Sequence, residues 1–117
     1  TNDLDRAKAF YDKLLGTLGV PPATVDGNRI FYITNTGVFS VSKPINGEPA
    51  CHANGGTIGF EAKDAATVDA FHAAGLSAGG TDEGAPGPRP NAPGNAYGAY
   101  LRDPDGNKIC AFCQLPG

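Results

Sequence analysis

Methionine is missing altogether from these 117 residues, so Thr1 is not expected to be the encoded start. Cysteine is scarce, with only Cys51, Cys110 and Cys113. Three thiols cannot all pair internally, which removes a disulfide framework and favours a reducing, cytoplasmic setting. Cys110 and Cys113 have CxxC spacing. They lie in an apolar run that reads as a strand, where residues three apart face opposite sides, whereas a redox pair needs its first cysteine at a helix N-terminus. Histidine is scarcer still, with His52 and His72 alone. No apolar run approaches the roughly 18 residues of a membrane span, and no signal-peptide pattern opens the chain. The net charge of −3 offers no basic footprint for nucleic acid or acidic membranes.

Glycine and proline are plentiful, at 17 and 10 residues, yet they fall between apolar runs and act as punctuation. Asn2 or Asp3 caps a helix to about Leu15, with Leu4, Ala7, Phe10 or Tyr11, Leu14 and Leu18 on one face. Gly16 or Gly19 ends it. After Pro21-Pro22, the runs 28–34 and 37–43 form a hairpin across Asn35-Thr36. A turn-rich loop, 44–55, follows. Residues 56–62 form a strand, with Thr57, Gly59 and Glu61 on one face and Ile58 and Phe60 on the other. Asp64 caps a second helix to about Gly75, which buries Val68 and Phe71. Residues 76–81 are expected as a short strand. The segment 83–96 holds four prolines and three glycines and is expected as a stiff loop, a pocket wall or lid. The chain closes with two apolar runs, 97–101 and 108–114, around the turn Asp103-Pro104-Asp105-Gly106-Asn107.

A repeat underlies this order. Shifting the first helix by 61 positions lays Asp3 on Asp64, Ala9 on Ala70, Phe10 on Phe71, Leu15 on Leu76 and Gly19 on Gly80. Cap, aromatic anchor and terminal glycine recur, each followed by strands. The second unit, 56–117, opens with a strand before its helix. By the same shift the first unit, 1–45, should have its opening strand ahead of Thr1.

The first helix carries RAKAFY (6–11) and the last hairpin RDPDGNKI (102–109). Together these motifs resemble the vicinal oxygen chelate superfamily of glyoxalases, bleomycin-resistance proteins and extradiol dioxygenases. The resemblance covers nearly the whole chain. It implies a single α+β domain of paired βαβββ modules, with a sheet curved round a cleft and both helices on the convex side. It also implies a small-molecule ligand and, commonly, a homodimer that completes the cleft. An unpaired sheet edge independently invites a partner.

Metal-using members hold a divalent ion with histidine and glutamate from the first and last strands of each module. Here Thr57 stands at the expected histidine, Cys110 at the expected glutamate, and strand 37–43 contains no His, Asp or Glu. A hard ion needs three or four oxygen or imidazole donors, so these substitutions disfavour a family-type metal. The remaining candidates each have a structural rival. Cys110 reads as a nucleophile or soft ligand, or as a buried inert thiol. Glu61 reads as a general base, or as an exposed strand end. Tyr97 and Tyr100 face opposite sides, one toward a ligand and the other toward a helix. Arg89, held between Pro88 and Pro90, suits an anionic substrate, or is a surface arginine. Thr57 and Phe112 complete the expected ligand-binding set. His72 reads as structural or surface, and His52 as a loop residue near the cleft mouth. Asp103 and Asp105 are read as turn residues and not as a calcium loop.

Two functions fit. One is a glyoxalase-like protein binding a small organic molecule, a lyase or dioxygenase-type enzyme. The other is a metal-free module sequestering an aromatic or cationic drug or a metabolite, without catalysis.

Overall fold

The computed structural model describes residues 1–116. Its elements, in chain order, are α1 (Leu4–Gly16), β1 (Thr24–Asp26), β2 (Arg29–Ile33), β3 (Val38–Ser42), β4 (Ile58–Glu61), α2 (Ala65–Ser77), β5 (Thr81–Pro88), β6 (Ala96–Arg102) and β7 (Lys108–Gln114).

Both helices start where a carboxylate satisfies the free N–H groups of the first turn. Asp3 Oδ1 accepts from the Arg6 N–H at 3.0 Å. Asp64 Oδ1 accepts from the Thr67 N–H at 2.8 Å and its hydroxyl at 2.6 Å. Asn2, the other candidate cap, instead accepts the Ala50 N–H. At the end of α1 the chain turns through Gly19, whose φ of +82° few other residues adopt, and the Val20 N–H returns to the Leu15 carbonyl. α1 buries Ala7, Phe10, Tyr11, Leu14 and Leu15, while α2 buries Val68, Phe71, His72 and Gly75. At Gly75 a Cβ would come 2.4 Å from Leu101 Cδ1, so a larger residue there would require the Leu101 side chain to shift.

The strands form two hydrogen-bonded sheets, β1-β2-β3 and β4-β7-β6-β5. All pairs are antiparallel except β4 with β7, which is parallel. Together they make a curved surface that does not close as a barrel. α2 packs on β5, β6 and β7, and α1 packs on β2, β3 and α2. The aromatic rings of the core run from one unit to the other. Tyr11 and Phe39 are 5.0 Å apart, Phe39 and Phe60 5.4 Å, and Phe60 and Phe71 6.1 Å between centroids.

The repeat is visible in the topology, since β1, β2 and β3 follow α1 as β5, β6 and β7 follow α2. Ala62, just after β4, donates its N–H to the Phe112 carbonyl of β7 at 2.8 Å. Thr1, 61 positions earlier, donates its N-terminal N–H to the Ser42 carbonyl of β3, also at 2.8 Å. The strand expected ahead of Thr1 lies outside the described residues.

Three expectations are corrected. The strand expected at 76–81 is the end of α2 followed by a turn at Gly79, with φ +104°. The loop expected at 83–96 is in its first half the strand β5, despite Pro86 and Pro88. Proline is tolerated there because β5 is an edge strand bonded only to β6, with register shifts between Asp82 and Gly84 and between Gly84 and Gly87. A short strand, β1, also forms where an extended connection was expected, pairing with β2 across a Gly27 turn with φ +60°.

Candidate functional site: the open face of the second sheet

Side chains alternate across a strand, so the pairing register fixes what the sheet shows on the side away from α2. One cross-strand row reads Glu61, Phe112, Gly98, Gly87, and the next reads Gly59, Cys110, Tyr100, Gly84. Lys108 and Arg102 form a third row. The opposite face, with Ala99, Leu101, Ile109, Ala111 and Cys113, is buried.

Four glycines on one face let the Phe112 and Arg89 side chains lie close along the sheet. Phe112 lies toward Gly59, where a Cβ would stand 3.3 Å from its ring. On the other side, Arg89 lies along Gly98, Gly87 and Gly84, where Cβ atoms would meet it at 3.8, 3.5 and 3.3 Å. The Arg89 guanidinium ends 5.5 Å from the Tyr100 ring centroid, and Lys108 Nζ approaches the same ring to 5.2 Å. Main-chain carbonyls hold the guanidinium: Nη2 donates to Ala85 at 2.6 Å, and Nη1 to Gly87 at 3.2 Å and Pro88 at 3.3 Å. Phe112 is 37% exposed, unusual for a phenylalanine in an inner strand.

The structure separates the sequence candidates. Arg89, Tyr100, Cys110, Phe112 and Glu61 share the open face, and Thr57 immediately precedes β4 on the same side by alternation. Tyr97 faces the helix: its hydroxyl donates to Asp69 of α2 at 2.7 Å, and that bond raises its pKa. Cys110 is 9% exposed; burial pushes its thiol pKa up, with Lys108 opposing, so the thiol is predominantly protonated at neutral pH. Cys113 points the other way, into the α2 side. His72 is a buried residue of α2 and bonds Asp82 at 2.8 Å. His52 stands beside the Gly106 turn. Asp103 organises that turn, accepting from the N–H groups of Asp105 and Asn107, the Asn107 amide and the Tyr11 hydroxyl. Sequence reasoning did not single out Lys108 or the open-face glycines. The spacing of Lys108, Cys110 and Phe112 carried the signal, because alternate strand residues share a face.

A second concavity, about 580 Å³, lies at the junction of the two sheets, between α1, the β2–β3 turn and β4. Its rim includes Ile33, Val38 and Ile58, which are 62%, 62% and 44% exposed. It borders the outer edges of β3 and β4, and Gly59 and Glu61 line it as well as belonging to the open face.

A hard divalent ion does not fit the donors present. Among the described residues, no three His, Cys, Asp or Glu side chains gather in one place. Thr57 and the protonated Cys110 stand where the ligands would be.

The arrangement is that of an α+β protein built from two repeated units, with an open glycine-floored sheet face. The model of the Glyoxalase/Bleomycin resistance protein/Dioxygenase superfamily matches residues 1–111, and the chain belongs to that family. A glyoxalase/bleomycin resistance protein from Albidiferax ferrireducens T118 is 55% identical, with a TM-score of 0.93 over 96% of this chain and 91% of that one. A lactoylglutathione lyase from Agrobacterium tumefaciens is 27% identical, with a TM-score of 0.63 over 96% and 86%. The fosfomycin resistance protein FosX from Mesorhizobium loti, at 14% identity and a TM-score of 0.59 over 98% and 86%, shares the fold. No curated protein matches.

Proposed function

We propose that this chain binds a small organic molecule on the open face of the β4-β7-β6-β5 sheet. The observation that carries the reading is the glycine floor: glycines at 59, 84, 87 and 98 with Phe112 and Tyr100 standing among them. These glycines fall on three of the four strands, and glycine weakens a strand unless something approaches the backbone closely, as the Phe112 ring and the Arg89 side chain do here. A flat ring stacked on Phe112 would meet aromatic surface on one side and main chain on the other, the usual composition of a small-molecule site. Sequestration without catalysis is one form of this reading. The test is a titration with aromatic probes, read by melting temperature and by amide shifts. A rise in Tm with shifts at Gly59, Gly98 and Phe112 supports the reading, and shifts confined elsewhere refute it.

The likeness to a lactoylglutathione lyase favours the alternative, a lyase or dioxygenase-type enzyme. Stoichiometric divalent metal in tag-free protein would establish that alternative over simple sequestration. We further propose a homodimer, supported by the unpaired outer edge of β4 and the exposed Ile58 on it. Sedimentation at micromolar concentration should give a dimer, and a monomer throughout would contradict it.

A further inference from the structure

We infer that the ligand of this face carries an anionic group, a carboxylate, phosphate or phosphonate, seated at the rim of Tyr100 between Arg89 and Lys108. The inference rests on the small-molecule reading above and names its ligand class.

Three observations carry it. The first is the state of the arginines. Arg6 pairs with Asp105, Arg29 with Asp26 and Arg102 with Glu83, whereas Arg89 has no carboxylate partner among the described residues. In an acidic protein an unpaired guanidinium lying along a sheet face is a charge left without its counter-ion. The second is preorganisation. Three carbonyls and the Tyr100 ring fix the guanidinium, and its Nε and one Nη2 hydrogen remain uncommitted. A fixed fork loses little entropy when it takes a carboxylate or phosphate oxygen. The third is convergence. Lys108 reaches the same ring from β7, so two cations flank one phenol, and no acidic residue pairs with either among the described residues.

The nearest acids do not cancel this field. Glu83 is engaged by Arg102 at 2.8 Å. Glu61 lies on β4, with β7 between it and the Tyr100 strand. The face is therefore polarised, cationic around Tyr100 and acidic at the β4 edge. A ligand with an apolar ring over Phe112 and an anionic end at Tyr100 matches both parts. A cationic drug, which net charge alone would favour, would place its charge against Arg89 and Lys108.

The test is an amide-shift titration of the labelled protein at low salt with benzoate, phenylphosphonate, benzamide and benzylammonium. Benzoate and phenylphosphonate should perturb Gly84, Gly98 and Phe112 and bind roughly ten- to a hundred-fold tighter than benzamide, the scale of a charge-assisted hydrogen bond. That margin should shrink as salt is raised, and in Arg89→Gln. Lys108→Gln, which touches no main-chain carbonyl, should shrink it by a smaller factor and serves if the arginine variant fails to fold. Benzamide binding as well as benzoate would overturn the anionic inference while leaving the small-molecule face intact. Tighter binding of benzylammonium would do the same. If no probe perturbs these amides, the small-molecule reading falls and takes this inference with it.

Discussion

The two halves of this molecule are built on one plan and are finished differently. In the second unit four strands bond side by side, β6 and β7 run to seven residues each, and most of their positions are buried or half-buried. In the first unit three strands bond, none exceeds five residues, and β3 alternates exposed with half-buried positions. The difference lies in what covers each sheet. α2 lies across β5, β6 and β7, so the inner faces of that sheet are sealed; α1 lies partly on β2 and β3 and partly on α2. One sequence pattern thus yields a rigid platform in one unit and a thinner wall in the other. The candidate site sits on the platform, where a fixed geometry is available to hold a ligand.

The largest effect expected to separate the halves is in packing. Phe71→Ala, at a fully buried ring under the second sheet, should cost about 3–5 kcal/mol in urea denaturation, and Phe39→Ala, at a half-buried ring in the first, about half as much. Equal costs would mean that the first unit is as tightly packed as the second.

Two tyrosine–carboxylate bonds allow a finer comparison. Tyr11 donates to buried Asp103 at 2.6 Å, and burial together with the Asp103 charge drives its pKa far upward. Tyr11→Phe should cost about 1–3 kcal/mol, because a buried carboxylate loses one of its donors. Tyr97 makes an equally short bond to Asp69 at the exposed surface, and Tyr97→Phe should leave the denaturation midpoint unchanged within error.

The pH dependence divides along the same line. For Asp12 in the first unit, burial alone would raise the carboxyl, but hydrogen bonds from Lys8, the Ala23 N–H and Tyr32 outweigh it and hold the pKa below the ordinary value. In the second unit, bonds from Thr67 to Asp64 and from His72 to Asp82 lower those two carboxyls likewise. A depressed carboxyl adds stability above its unfolded pKa, about 3.9, and that stability disappears as pH falls through the folded value. Thermal melts should therefore be insensitive to these groups above about pH 5 and fall below about pH 4. Asp12→Asn and Asp82→Asn should each flatten part of that fall. A fall unchanged in both variants would assign it to other groups.

The smallest expected change in stability is Gly59→Ala. Its Cβ would stand 3.3 Å from the Phe112 ring and 3.4 Å from Cys110 Sγ, a crowding that a small ring rotation relieves. Stability should hold while affinity for an aromatic ligand drops, because that rotation turns the ring a ligand would stack on. Unchanged affinity would place the ligand away from β4.

Much of this was legible in the residues because it is local. Asp3 and Asp64 announce their helices, the Asp103–Asn107 turn announces the last hairpin, and the repeat ties the two units together. Strand alternation was enough to set Tyr97 and Tyr100 on opposite faces and to separate Cys110 from Cys113. What was not legible depends on neighbours. Pro86 and Pro88 read as loop residues because nothing local reveals that β5 is an edge strand whose outer N–H groups need no partner. Alternation with Cys110 and Phe112 put Lys108 on their face, but its place beside Tyr100 follows only from the β6–β7 register. Arg89 was noted for its flanking prolines, but its lack of a carboxylate partner emerges only when every acidic residue has been placed.

The central claim is that the second sheet, and not the junction between the sheets, is where a ligand sits. A crystal structure of the protein soaked with phenylphosphonate addresses it directly. The account predicts the ring over Phe112 and the phosphonate oxygens within hydrogen-bond reach of Arg89 Nε. A ring lodged instead among Ile33, Val38 and Ile58 would contradict it.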